Sequence, residues 1–317
     1  MSSKHLYPPV EHVHLTNKMS VNDLVQQFKA AGVMCSGRVA RAVDIGETMF
    51  NHRECTIFLG VAGAMIPGGM KHVIADLLTM GASVFVTTGA MLTHDLVEAL
   101  GHKHMKGSPY IDDKLLHKNN IVRMYDSYMS SAVYEDLEDF FALHFDELAT
   151  KSTVKEMLWC LGSKVLAEDS LLRICADRKI PLFCPALADS GLGLMIWGQL
   201  AKGKKMPIPA FDDLKEILQI AWNAKQCGVW YVGGGVPKNF IQQTMQFAPK
   251  GASFGIQITT DRPESGGSSG AELREGISWG KMDYSAHYVD VPLDATVALP
   301  LIVAALKERL GSPSPRS

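Results

Sequence analysis

The sequence predicts an α/β protein with a mostly parallel sheet and helices on both faces, on three observations. Short β-branched and aromatic runs alternate with stretches of helical pattern along the chain. Hydrophobic residues make up 47% and charged residues 20%, the balance of an ordinary globular core. No internal repeat or low-complexity linker divides the 317 residues, so one domain is expected over 19–310. It is flanked by an extended arm at 1–18 and a disordered tail at 311–317.

The elements follow in order. Ser20, with Asp23 three residues later, is a helix start with a capping box. Ser36 is expected to open a second helix, SGRVARAVDIGETMFN. CTIFLG (55–60) and SVFVTT (83–88) are strands, each followed by a helix, through HVIADLLTM and LTHDLVEAL. IPLFC (180–184) precedes a helical LGLMIWGQL, and VWYV (229–232) precedes NFIQQTMQF. ASFGIQIT (252–259) and HYVDVP (287–292) complete the strands, and ATVALPLIVAALKERL is the last helix. Sheets of this kind bind ligands beyond the carboxyl ends of their strands, so the loops there are where chemistry is expected.

Composition excludes several classes. The 31 basic and 33 acidic residues nearly cancel, which argues against a nucleic-acid surface or a polybasic membrane anchor. The six cysteines are scattered without a C-x-x-C pair and read as reduced core residues. The N-terminal stretch lacks the apolar core of a signal peptide, and no apolar run reaches the roughly 18–20 residues of a membrane helix. A soluble cytoplasmic protein is expected. The pairs His12/His14 and His102/His104 have ligand-like spacing but no acid or cysteine cluster beside them, so no metal is expected. Neither a G-x-S-x-G elbow nor a P-loop is present.

Four loops stand out. VTTGAMLTHD (86–95) puts Thr88, Gly89 and Ala90 just after a strand, where small residues let amides approach a phosphate; a plain tight turn is the alternative. In PALADSGLG (185–193), Asp189 either accepts from ribose hydroxyls or an amine, or caps the next helix. In YVGGGVPKNF (231–240), Gly233, Gly234 and Gly235 suit close approach of a cofactor backbone, although the spacing is not G-x-G-x-x-G. The fourth, TTDRPESGGSSGAELREGISWGK (259–281), leads through small residues to Glu275, Trp279 and Lys281. A lysine is nucleophilic only when neutral; Trp279 either walls a dry site for Lys281 or stacks on an aliphatic or cationic substrate, and Glu275 suits an ammonium group. A surface loop with an exposed lysine is the plain alternative.

EGISWGK (275–281) resembles the catalytic-lysine signature of deoxyhypusine synthase, E-A-V-S-W-G-K. The resemblance extends through VTTGA, FCPALADSGLG, VGGGVPK, the GGSSGA loop and VDVPLDATVALPL, in order and in spacing, over roughly residues 20–310. It implies a Rossmann-like fold, bound NAD, and a homotetramer with active sites between paired subunits. It also implies a chemistry: NAD takes a hydride from a polyamine such as spermidine. The active-site lysine captures the resulting imine, and the aminobutyl group passes to an acceptor amine. That acceptor is a lysine of translation initiation factor 5A in deoxyhypusine synthase, and putrescine in homospermidine synthase.

Residue by residue, the resemblance makes Lys281 the nucleophile. It gives NAD to Thr88, Gly89, Ala90, Asp189, Gly233, Gly234, Gly235, Thr260, Asp294 and Ala295, with Gly63 and Ala64 where the family carries Ser-Asn. Glu275, Trp279, Gly266 and Ser269 match substrate positions. Departures cluster at the polyamine site: Leu194 and Ser268 replace two acids, Asn239 replaces a histidine, and Thr93 and His94 replace a pair of acids. Lost carboxylates in a site for a polycation imply an altered, less cationic amine such as agmatine. Two other readings remain, a homospermidine synthase-like enzyme with a small diamine acceptor and a silent NAD-binding paralogue acting as a partner subunit.

Overall fold

The computed structural model describes residues 7–209 and 211–311. The first six residues of the expected arm, and the expected tail beyond Gly311, lie outside the described residues. Strands β1 (Cys55–Val61), β2 (Val84–Thr87), β6 (Leu182–Phe183), β7 (Gln226–Val232), β8 (Ala252–Ile258) and β9 (Met282–Val291) form one sheet in the order β6-β2-β1-β7-β8-β9. Every pairing in it is parallel. All of β2 and nearly all of β1, β7 and β8 are buried, because helices cover both faces.

The chain leaves β1 toward β2 on one side and later enters β7 on the other. The switch point of the sheet therefore lies between β1 and β7, and Gly233 closes on the Ala62 carbonyl there. Helices α3 (Lys71–Met80), α4 (Gly89–Ala99), α9 (Gly191–Ala201), α11 (Gly235–Phe247) and α13 (Ala295–Leu310) follow strands as the sequence predicts. Helix α1 (Val21–Ala31) has its capping box at Ser20 and Asp23. Helix α2 (Met34–Asn51) starts two residues before the expected Ser36, with Met34 in the left-handed region at φ 53°. Ser36 is no cap, since its hydroxyl donates back to the Val33 carbonyl.

The region 101–179 had few strand signals. It carries α5 (Asp113–Lys118), α6 (Val133–Leu148), α7 (Val154–Ser163) and α8 (Leu171–Arg178), and a small antiparallel sheet of β3 (Met105–Lys106), β4 (Ile121–Met124) and β5 (Ser127–Ser130). Helix α10 (Asp212–Asn223) precedes β7. The outer strand β9 is guarded by α2, whose Arg38 and Arg41 donate to the Asp290 and Tyr288 carbonyls.

Candidate active site

Lys281 leaves a single turn of helix, α12 (Glu275–Ser278), through Gly280 at φ 71°. Its amide donates to the Gly276 carbonyl at 2.8 Å, and its own carbonyl accepts from the Ala252 amide at 3.0 Å. With the backbone fixed from both sides, the side chain reaches out to place Nζ 4.8 Å from the centre of the Trp279 ring. A cavity of about 210 Å³ lies here, lined by Lys281, Trp279, Glu275, Gly266, Ser268, Asn239, Lys238 and Gln242 among others. Five residues given by the sequence reading to the substrate thus meet the lysine in one place.

The setting of Lys281 differs from the expected one. Trp279 is 56% exposed and Lys281 is half-buried, so within one chain the tryptophan is an open lid and the site is not dry. The dry lysine is Lys238, which the sequence reading missed. It is 4% exposed, and burial pushes its amine down to about 8, although Asp290 and Glu275 pull the other way. Its Nζ donates to the Ser268 and Ala271 carbonyls, each at 2.6 Å. Only its place in the run VPKN, directly before Asn239, could have signalled it.

Those two bonds draw the 266–271 loop over the first turn of α11. The glycine run serves the same contact. A Cβ at Gly234 would stand 2.4 Å from the Ser269 Cα, and the Gly235 amide donates to Ser269 Oγ at 2.8 Å. Close approach explains Gly234, as expected, but what approaches is this chain's own loop.

The positions expected to hold NAD line the carboxyl edge of the sheet. Thr88 caps α4 by accepting from the Met91 amide, which leaves the Gly89 and Ala90 amides ahead of the first intrahelical bond. Gly89 packs on Ser190, where a Cβ would come within 2.3 Å of Oγ. Ser190 caps α9, so the capping alternative for Asp189 does not hold, and its carboxylate is exposed. Gly63 and Gly233 take φ values of 90° and 70°, which put the turns after β1 and β7 in shapes suited to glycine. Thr260 is exposed after β8. Asp294 caps α13 at Ala295, accepting from the Thr296 amide at 2.8 Å. These residues fit a dinucleotide: helix N-termini, open amides and glycine turns lie along the carboxyl edge of the sheet on both sides of the switch point.

Three positions of the expected polyamine site lie elsewhere, Thr93 beside His94 being one of them. His94 is on α4 and Leu194, 56% exposed, is on α9, both on the β2–β6 side of the sheet. Neither lines the Lys281 cavity, which sits beside β8 and β9. His94 instead meets His104, whose Nε2 is 3.0 Å from His94 Nδ1. The rings of His102 and His104 part, since His102 turns to Asp136 and His104 to Glu98. Among the described residues no group of three His, Cys, Asp or Glu side chains could hold a metal ion, and no helix is long and apolar enough to cross a membrane.

Comparison with known proteins bears on this geometry. The deoxyhypusine synthase family model matches residues 23–306. The chain is 42% identical over 311 residues to "Probable deoxyhypusine synthase 1" of Methanosarcina acetivorans, covering 98% of both. It is 40% identical over 296 residues to the protein of that name from Archaeoglobus fulgidus, covering 92% of this chain and 96% of that one. The fold is similar, with a TM-score of 0.64 at 18% identity, to the crystal structure of an Entamoeba histolytica protein provisionally named deoxyhypusine synthase. That alignment covers 97% of this chain and 100% of that one.

Proposed function

The chain belongs to the deoxyhypusine synthase family, and from that premise we propose that it is an NAD-dependent aminoalkyl transferase with Lys281 as covalent nucleophile. The observation that carries the proposal is the convergence of Lys281, Trp279, Glu275, Asn239 and Ser268 on one cavity. When bound at the carboxyl edge, NAD supplies the acceptor, and later the donor, of a hydride.

The chain's own residues do the rest. Glu275 orients the donor amine by pairing with an ammonium group, and Trp279 offers its ring face to the same cation or to the alkyl chain. Lys281 Nζ, as a neutral amine, attacks the imine carbon of the oxidised donor; the bond from that carbon to the donor's own nitrogen breaks, the remainder leaves as a free amine, and a lysine-imine is formed. The aminobutyl-type group then passes to an acceptor amine. Lys238 does not react; it holds the 266–271 loop that forms the cavity wall.

The donor is less cationic than spermidine. The cavity presents the carboxylates of Glu272 and Glu275, and Glu272 already pairs with Arg274 at 2.5 Å. Ser268 and Asn239 offer neutral hydrogen bonds to a guanidinium or an uncharged group. A protein acceptor such as translation initiation factor 5A, or a small diamine, fits the same chemistry. We also place the chain in a cytoplasmic homotetramer. His94 and Leu194 stand on one side of the sheet and Lys281 on the other, so a partner subunit is what would join them into one site. One domain over 19–310 carries all of this.

The test is to incubate the protein with NAD and a panel of amines including spermidine, putrescine and agmatine, trap with borohydride, and compare intact masses with Lys281→Ala. An adduct from one amine, absent in the variant, is expected and names the donor. NAD binding without any adduct would overturn the transferase reading in favour of a silent paralogue.

A further inference from the structure

We propose that Glu98, His104 and His94 form a proton relay that makes the outer nitrogen of His94 a base for the substrate's ammonium group. The identity of that substrate rests on the function proposed above, whereas the relay itself rests on geometry. His104 Nδ1 lies 2.8 Å from a Glu98 carboxylate oxygen, and its Nε2 lies 3.0 Å from His94 Nδ1. His104 has a 5% exposed side chain, while Glu98 is 15% exposed. Lys71 grips the other Glu98 oxygen at 3.0 Å and Asp169 at 2.6 Å, which keeps the carboxylate ionised and fixed.

This order sets the tautomers. A carboxylate only accepts, so His104 carries its proton on Nδ1 and offers the Nε2 lone pair to His94. His94 then donates from Nδ1 and has its lone pair on Nε2, for which no protein partner exists among the described residues. His94 itself stands about one turn after Ala90 on α4, the helix whose start is proposed to hold the cofactor.

The step balances as follows. Nε2 of His94 takes a proton from a substrate R–NH₂⁺–R′, the N–H bond breaks, and its electron pair stays on the substrate nitrogen, which becomes a neutral amine. The Nδ1 proton of His94 passes to Nε2 of His104, so the positive charge comes to rest between His104 and Glu98. A neutral nitrogen is what an adjacent C–H needs before it can leave as hydride. Alone, His94 would be a poor base. Burial first, and the neighbouring His104 second, hold it down at about 4, whereas the Glu98 carboxylate 2.8 Å from His104 Nδ1 offers a counter-charge that His94 itself lacks. Glu98 and His104 are therefore positioning residues, and His94 is the group that touches substrate, in the site that the partner subunit proposed above would complete. The surrounding charges agree with this. Lys71 comes from α3, Asp169 from the segment before α8, and Asp136 of α6 is taken by His102. Asp95 turns to the start of α8, and α9 offers no titratable side chain.

The test is nitrogen NMR of histidine-labelled protein without NAD or amine, titrated from about pH 5 to about pH 9, for the native chain and for Glu98→Gln and His104→Phe. The native chain should show His94 protonated on Nδ1 with both rings responding in one coupled step, and the cation signature on His104. Glu98→Gln should lower that step by about one pH unit or more, and shift the acid limb of amine-dependent NAD reduction by the same amount. In His104→Phe the coupled step should vanish and His94 should stay neutral down to about pH 5. An Nε2-protonated His94, independent titration of the two rings, or an unmoved acid limb in Glu98→Gln would each overturn the relay. Failure to trap any adduct at Lys281 would count against the transferase and leave the ring titrations to be read on their own.

Discussion

Replacing Lys238 by methionine separates two effects that the structure combines in one side chain. The amine is pushed from an ordinary 10.5 to about 8, so at neutral pH the folded state carries a charged group whose burial costs about 3 kcal/mol. Methionine removes that cost but also removes the donors to the Ser268 and Ala271 carbonyls. Two such bonds contribute about 1.5–3 kcal/mol each. Ala271 keeps a second donor, Gln257 Nε2 at 3.0 Å, so only the Ser268 carbonyl loses its partner. The opposing terms leave Lys238→Met within about 2 kcal/mol of the native chain in urea unfolding near pH 7. The pH dependence is more diagnostic. A lysine with a depressed folded value is protonated more readily in the unfolded chain. Native stability therefore rises with pH from about 8 toward 10.5, and the variant lacks that rise. Between about pH 7 and about pH 9.5 the native chain should gain about 2 kcal/mol relative to the variant. Adduct formation at Lys281 should meanwhile fall at least about tenfold, because the 266–271 loop is released. Parallel stability curves for the two proteins across that range would refute the reasoning, and so would native adduct yield.

Three further outcomes follow from the same geometry. Gly234→Ala drives a Cβ to within 2.4 Å of the Ser269 backbone, so unfolding should show a loss of about 1–3 kcal/mol together with reduced adduct formation. Asp95→Ala strands the Leu171 and Leu172 amides and the Ser170 hydroxyl, all donors to a fully buried carboxylate, and urea titration should register a loss of about 3–5 kcal/mol. Glu275→Gln, at an exposed position, should leave stability within about 0.5 kcal/mol. It should also raise the amine concentration needed for half-maximal trapping by about tenfold or more.

What the sequence could convey depended on how local each cause was. The parallel sheet was legible because buried strands such as FLGV and VFVT are apolar from end to end, and the helix start at Ser20 because its partner Asp23 is three residues away. The small sheet of β3, β4 and β5 was not: its strands are two to four residues long and only Met129 among them is fully buried, so the period-2 signal never forms. At the candidate site the same division holds. Glu275, Trp279 and Lys281 share one turn and its exit, and their neighbourhood could be read directly.

Lys238 reads as a plain lysine in the first turn of a helix, because what buries it is a loop about 30 residues later in the chain. His104 and Glu98 likewise acquire meaning only when the segment after α4 folds back on that helix. The two lysines then divide the work on physical grounds. A buried ammonium that bonds two carbonyls has few rotamers left and cannot travel to a substrate, so Lys238 is suited to holding the wall. Lys281, pinned only at its backbone and resting on an exposed ring, keeps the freedom that attack and release both require.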